Sequence, residues 1–291
     1  MKKKRSTKRN TTRKRHQKRK SHWLFRRWTL LLILVISLLG TGYYLKEKIA
    51  FYYAMYFTRY EHKSLKNNAY ESKRIRRIIS ENTDKTFGID ISHYQNPEDI
   101  QWDSLSIANK SVPIKFVVLR ATMGKNSKDR HFKKYWAKAK KHNLIRGAYH
   151  FYRPNEDPVK QANNFLESVK LESGDLVPVL DIEKKSSKYS RKELIENLKT
   201  WLKIVEENYG QKPIIYTYYY YHRDVLQDEL DGYPLWLANY NDVSTPSPNS
   251  NWDFWQFTEN GIVEGINTKV DVNIFNGNTS DLKDLTIQKD K

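Results

Sequence analysis

From Phe87 onward the chain alternates short apolar runs with amphipathic segments of helical length, and this pattern constrains the fold more than any other feature. The runs Phe87–Ile91, Phe116–Thr122, Arg146–Phe151, Val177–Ile182, Pro213–Tyr218, Leu235–Ala238, Asp253–Phe257 and Val270–Ile274 are rich in β-branched and aromatic residues and read as strands. His131–Asn143, Asp157–Leu171, Ser190–Tyr209 and Tyr220–Leu230 read as helices. The third opens on Ser190 with Glu193 three residues on, a capping-box pattern, and sets Leu194, Leu198, Trp201, Leu202 and Val205 on one face. Strand–helix alternation predicts a parallel sheet. The last three strands lie too close together for helices between them. The expectation is therefore an α/β fold, an irregular TIM-like β/α barrel of about eight strands with helices mainly between the first five. An open doubly wound sheet is the alternative.

The region before the barrel has a different character. Of the formal net charge of +19, the first 27 residues supply 14 Lys and Arg and no acid, which leaves +5 for the rest. The basic character belongs to a tail, so no nucleic acid is expected on the folded domain. Trp28 to Leu45 is uncharged and mostly Leu, Ile and Val. As a helix it reaches about 27 Å, close to the thickness of a bilayer's hydrocarbon core. Trp23, Trp28, Tyr43 and Tyr44 stand where interfacial aromatics belong. Positive charge on the N-terminal side predicts a single-pass anchor with a cytoplasmic N-terminus and everything after Lys46 outside. The competing view is a cleaved signal peptide and a secreted form, because Gly40-Thr41-Gly42 offers small residues after an apolar run. The expected organisation is a basic cytoplasmic tail over 1–27, a transmembrane helix over 28–45, and a juxtamembrane helical stalk or linker over 46–86. The barrel follows over 87–279, then a charged C-terminal tail over 280–291. The chain has no cysteine, which excludes disulfides, thiolate nucleophiles and thiolate metal sites.

Chemistry is most concentrated in Leu176–Lys184. A buried strand there runs into two carboxylates, Asp181 and Glu183. Side chains two apart on a strand share a face, roughly 6.5 Å from one another. At an effective dielectric near 20, charges at that distance repel by about 2.5 kcal/mol. That is enough to hold a proton on one carboxyl well above its usual range while its neighbour stays ionised. An acid that keeps its proton beside a fixed negative charge is what cleavage of a glycosidic bond needs. Other polar and aromatic residues gather at the predicted strand ends: Asp90, His150, Tyr152, Tyr216, Tyr218, Trp236, Asn239, Tyr240, Gln256 and Asp271. In a barrel those ends converge on one mouth. Carboxylates there serve proton transfer, and aromatic faces suit the apolar side of a pyranose ring.

Six segments carry a resemblance. Phe-Gly-Ile-Asp-Ile-Ser-His-Tyr-Gln (87–95), Arg-Gly-Ala-Tyr-His-Phe-Tyr (146–152), Pro-Val-Leu-Asp-Ile-Glu (178–183), Pro-Leu-Trp-Leu-Ala-Asn-Tyr (234–240), Trp-Gln-Phe-Thr (255–258) and Val-Asp-Val-Asn-Ile-Phe-Asn-Gly (270–277) follow in order. Together they resemble glycoside hydrolase family 25, lysozymes of the N,O-diacetylmuramidase type. The resemblance implies an incomplete β/α barrel and hydrolysis of the β-1,4 bond between N-acetylmuramic acid and N-acetylglucosamine in peptidoglycan. By position, it implies that Glu183 is the proton donor and that Asp90, Asp181 and Asp271 are the acids around it. Tyr149, Tyr152, Trp236 and Gln256 match sugar contacts, and Tyr216 and Tyr240 join them from their strand ends. One departure stands out. The second-strand motif usually reads Lys-x-Ser/Thr-Glu-Gly, and here it is Arg120-Ala121-Thr122-Met123-Gly124. Met123 is expected to affect substrate fit rather than chemistry.

Two other functions compete with a wall lysozyme: an inactive wall-binding barrel, and a hydrolase of chitin-like N-acetylhexosamine polymers. His93 and His150 read as scaffold histidines, since their spacing matches no zinc motif, and neither a metal nor another cofactor is expected. The chain also has no Gly-x-Ser-x-Gly elbow and no Gly-rich phosphate loop.

Overall fold

The structure, a computed structural model, describes residues 11–62, 68–249 and 251–288. The remaining positions of the basic tail, the stalk and the C-terminal tail lie outside the described residues. The chain divides into two units, residues 1–52 and 53–291.

The first unit is helical. Helix α1 spans Thr11–His62, and its stretch Phe25–Tyr56 is the one span among the described residues long and apolar enough to cross a membrane. Leu30, Leu31, Leu32, Ile33, Leu34, Val35, Ile36, Leu38 and Leu39 are all exposed. These consecutive positions cover the whole circumference, so the helix has no polar face to turn to water.

The second unit is a closed eight-stranded barrel. Its strands are β1 (Thr86–Ile91), β2 (Phe116–Met123), β3 (Ile145–Phe151), β4 (Val179–Asp181), β5 (Ile214–Tyr218), β6 (Leu235–Ala238), β7 (Phe254–Gly261) and β8 (Val270–Phe275). Neighbours from β1 through β7 run parallel, while β8 runs antiparallel to both β7 and β1 and closes the ring. The reversal follows from connection length: the β7–β8 link is too short for the helical crossover that a parallel pair needs. A hairpin therefore replaces it, and the start of β8, not its end, lies at the mouth. Asp90 near the end of β1 stands opposite Asp271 near the start of β8.

Helices α3 (Phe132–Lys141), α4 (Pro158–Ser168) and α5 (Arg191–Tyr209) cover the outside. The expected capping box forms on α5, where the Glu193 backbone N–H donates to Ser190 Oγ at 3.3 Å and the Ser190 N–H donates to Glu193 Oε2 at 2.8 Å. Leu194, Leu198, Trp201, Leu202 and Val205 are buried, each worth about 1.5–3 kcal/mol by apolar area removed from water. The fourth expected helix is shorter than its pattern: one α turn at Tyr219–Tyr221 passes into a π turn at His222–Leu226. Four aromatic rings in a row restrict side-chain freedom in a helix, and Tyr221 Oη instead donates to the Lys184 carbonyl at 2.8 Å.

The barrel floor is filled by Phe116, Val179, Ile214, Phe254, Phe275 and Leu282. Gly88 on β1 is required there, because a Cβ would lie 2.4 Å from the Phe116 ring. The segment read as a charged tail contributes to this floor. Leu282 is fully buried, and the Val177 N–H donates to the Leu285 carbonyl at 3.0 Å. Its apolar residues are too few to show a period, but they plug the end of the barrel. A helix ahead of the barrel, α2 (Asn68–Glu81), also packs against it. Buried Arg74 donates to the Phe257 carbonyl at 2.8 Å and pairs with Glu71, which accepts from Thr258 Oγ1 at 2.9 Å.

Candidate active site

The mouth of the barrel holds a groove of about 380 Å³, with Asp90, Asp181, Glu183 and Asp271 on its floor. Strand alternation brings Asp181 and Glu183 to the same face, as their spacing predicts. Asp90 and Asp271 arrive from β1 and β8.

The four acids have different environments. Asp90 Oδ2 accepts from Gln256 Nε2 at 2.7 Å and from Asn273 Nδ2 at 2.8 Å. Burial raises the Asp90 carboxyl, and these amides together with a bond from Asp271 pull it back down. Asp271 is pushed up to about 9, first by burial and then by the charge of Asp90. Asp271 therefore keeps a proton to higher pH than an ordinary carboxyl. Asp181 is raised well above the carboxylate range by burial, with Glu183 and Asp90 adding to it. Its Oδ1 is buried and has no hydrogen-bond partner among the described residues. Glu183 is half-buried and also raised, chiefly by burial. Both line the groove, and Glu183 is the more exposed of the two.

A polar chain fixes this arrangement. Tyr216 Oη donates to Gln256 Oε1 at 2.7 Å, and Tyr240 Oη donates to the same oxygen. Gln256 is thereby locked with its amide N–H toward Asp90. Trp236 Nε1 donates to Asn273 Oδ1 at 3.1 Å and orients the second amide in the same way. Register shifts on either side of Thr258 mark a bulge in β7 next to Gln256, a device that re-aims side chains at barrel rims. Burial raises the phenols of Tyr149 and Tyr216 well above their ordinary value, so both remain donors.

Of the substrate contacts read from the sequence, Tyr149, Tyr216, Trp236, Tyr240 and Gln256 line the groove. Tyr152 does not. It is 1% exposed and packs toward the helical layer, its ring 6.3 Å from that of His150. Tyr149, Phe151 and Arg153 alternate into the groove, which turns His150 and Tyr152 outward. His150 is a scaffold residue: it is hydrogen-bonded to Thr122 and Gln161, stacked on Trp201, and held neutral by burial, which lowers it to about 4. His93 sits beside Arg120 and Asp129. Asn273 escaped the sequence reading, although it lies two positions after Asp271 and therefore on the same face. Arg120, Met123, Arg153, Lys184 and Tyr218 complete the walls. Among the described residues no group of His, Cys, Asp or Glu is arranged to hold a metal ion.

Residues 89–266, more than half of the chain, match the family described as glycosyl hydrolases family 25. The chain belongs to this family. It is similar to lysozyme M1 of Streptomyces globisporus, 34% identical over 211 residues, covering 67% of this chain and 69% of that protein. It is also similar to the uncharacterized protein YegX of Escherichia coli K12, 36% identical over 197 residues, covering 67% and 71%. Among solved structures it resembles a bacterial lysozyme from Streptomyces coelicolor at 30% identity and a TM-score of 0.63, covering 70% of this chain and 98% of that one. A family 25 glycosyl hydrolase from Bacillus anthracis aligns at 27% identity and a TM-score of 0.62, covering 70% and 95%. As a family 25 member the protein is a glycoside hydrolase, and its four acids line one groove. Helix α2 precedes the matched span.

Proposed function

We propose that the protein is a peptidoglycan hydrolase of the muramidase type, cutting the β-1,4 bond between N-acetylmuramic acid and N-acetylglucosamine. The observation that carries this reading is the meeting of four acids from β1, β4 and β8 in one aromatic-walled groove, each in a different electrostatic environment. Glu183 is the proton donor: its raised carboxyl keeps a proton for the leaving oxygen and then, ionised, activates water. Asp181, whose buried Oδ1 lacks a partner, receives the acetamido group of the substrate and orients it over the anomeric carbon. Asp90 is a fixed negative charge beneath the developing oxocarbenium centre, because both amides that bind its Oδ2 hold it in place. Asp271 keeps the proton that makes this single charge tolerable. Tyr149, Trp236 and Tyr240 supply faces and hydroxyls to the sugar rings.

The same proposal places the enzyme at the outer face of a membrane. Residues 28–45 form the bilayer span, the basic segment before them stays in the cytoplasm, and the barrel stands on the wall side. The apolar circumference of α1 supports a span, and the basic segment before it supports the orientation.

The test is incubation with purified peptidoglycan, followed by assay of reducing ends and analysis of the released fragments. Fragments with reducing-end N-acetylmuramic acid are expected. Binding without release, or cleavage of chitin alone, would reject the reading. Protease treatment of whole cells should remove the barrel and spare an N-terminal tag.

A further inference from the structure

The walls of the groove differ in charge. The rim above β5, β6 and β7 is aromatic and acidic, with Tyr218, Tyr240 and Glu259. The rim above β2, β3 and β4 carries Arg120, Arg153 and Lys184. Arg120 is already neutralised, its Nε 3.1 Å from Asp129 Oδ2. The other two are paired more loosely, Arg153 with Glu156 at the limit of an ion pair and Lys184 through space with Glu183. Among the described residues Arg153 has its nearest carboxylate, Glu156, at 4.0 Å, and a second oxygen of that carboxylate already accepts from the Lys125 backbone N–H at 2.7 Å. Arg153 Nη2 instead points at Met123 Sδ, 3.2 Å away. A thioether is a weak acceptor and carries no charge. Lys184 is exposed, and its charge acts on the neighbouring Glu183 carboxyl, pulling it down against the effect of burial.

Register explains why these groups share one corner. Met123 is paired with Phe151 across β2 and β3, so Arg153, two positions on, returns to the same face above it. Gly124, at φ +59°, ends β2 in a turn that lies against the Arg153 stem. Lys184 follows Glu183 directly. The cationic corner therefore lines the same groove as the proton donor. An acid at position 123 would close an ion pair with Arg153 and cancel the corner; methionine leaves it open. A groove floored by acids repels an anionic polymer, so a cationic wall next to the reacting bond has a clear use.

We propose that Arg153 and Lys184, on the groove wall beside Met123, form a subsite for an anionic substituent on the glycan, a carboxylate or a phosphate carried by the ring nearest the cleaved bond. This deepens the muramidase reading and rests on it, since that reading supplies the polymer. The substituent is held by charge-assisted hydrogen bonds from the guanidinium and the ammonium. It sets which ring occupies the donor's side of the groove, and so the direction in which the strand lies.

The two sources of negative charge are separable by treating the wall, not the protein. Full-length Glu183→Gln protein in detergent is sedimented with three forms of insoluble wall: untreated, stripped of phosphate polymers with hydrofluoric acid, and carboxylate-blocked by carbodiimide coupling to ethanolamine. One form is expected to bind about tenfold more weakly than the untreated wall, the worth of one charged hydrogen bond. Loss confined to the blocked wall identifies a carboxylate, and loss confined to the stripped wall a phosphate. Arg153→Gln and Met123→Glu, each added to the Glu183→Gln background, should bind all three forms alike, and Arg153→Lys should restore the difference. Equal affinity of the parent for all three forms overturns the subsite, as does an Arg153→Gln variant that still discriminates. Because binding is read without turnover, a wild-type enzyme that releases no reducing ends defeats the muramidase reading without deciding this one.

Discussion

The two ends of the barrel are built from the same strands and handle burial in opposite ways. At the floor, Phe116, Ile214, Phe254 and Phe275 meet ring against ring and chain against chain, and nothing polar in that cluster asks for a partner. At the mouth, a strand's length away, four carboxyls are crowded together and every one is raised by burial. The floor gains from being closed, and the mouth loses by it. The contrast teaches that the acids are tolerated because a packed floor and helical coat outweigh their cost, and that this cost keeps protons where hydrolysis uses them.

Variants can break that comparison, and the largest effect is expected at the mouth. Glu183→Gln should lower turnover by about 10²–10⁴-fold, the usual contribution of a positioned general acid, with the folded state intact. Reducing-end assays and circular dichroism on the same sample check it; turnover within tenfold of wild type would remove Glu183 from the role. At the floor the effect should be on stability alone. Phe254→Ala, at a side chain 1% exposed, should cost about 3–5 kcal/mol in urea unfolding while leaving KM and turnover per folded molecule unchanged.

A third variant has the opposite sign. Burial raises Asp181 in the folded state, so folding favours its protonated form. That contribution is complete below the unfolded carboxyl's pKa and is lost as pH rises through the raised folded value. Asp181→Asn should therefore change the Tm little at pH 4, raise it by about 2–4 °C at pH 8, and impair hydrolysis. A variant that lowers the Tm at both pH values would mean that the carboxylate is a stabilising element after all. The smallest effect belongs to the surface. Arg77 and Asp242 form a half-exposed pair between α2 and the barrel, and Arg77→Ala should cost about 0.2–1 kcal/mol, less at high salt.

Much of the site is legible in the sequence, because strand periodicity is a local rule. Asp181 and Glu183 fall on one face by their spacing alone, and the strand ends gathered most of the remaining groove residues. Applied further along, the same rule would have turned Tyr152 away from the groove and brought Asn273 into it. Asp271 stands near the start of β8 and reaches the mouth because that strand runs in reverse, which its spacing does not reveal. The expected helical stalk over 46–86 includes α2, but the packing of α2 on the barrel and the C-terminal plug are not legible in the sequence. Their few apolar contacts, Ile78 and Leu282 among them, are set in charged sequence, and no period identifies the surface they cover.

By itself the sequence determined the strands, the main helices, the apolar span of α1 and the types of residue available for chemistry, because each follows from neighbours a few positions apart. Only the tertiary structure decided that β8 closes the ring in reverse, that burial and the charge of Asp90 push Asp271 up while two amides bind Asp90, and that Arg153 Nη2 reaches the Met123 sulfur. Those outcomes depend on distances between residues far apart in the chain. Burial and Coulomb energies act through space, and no local pattern encodes them.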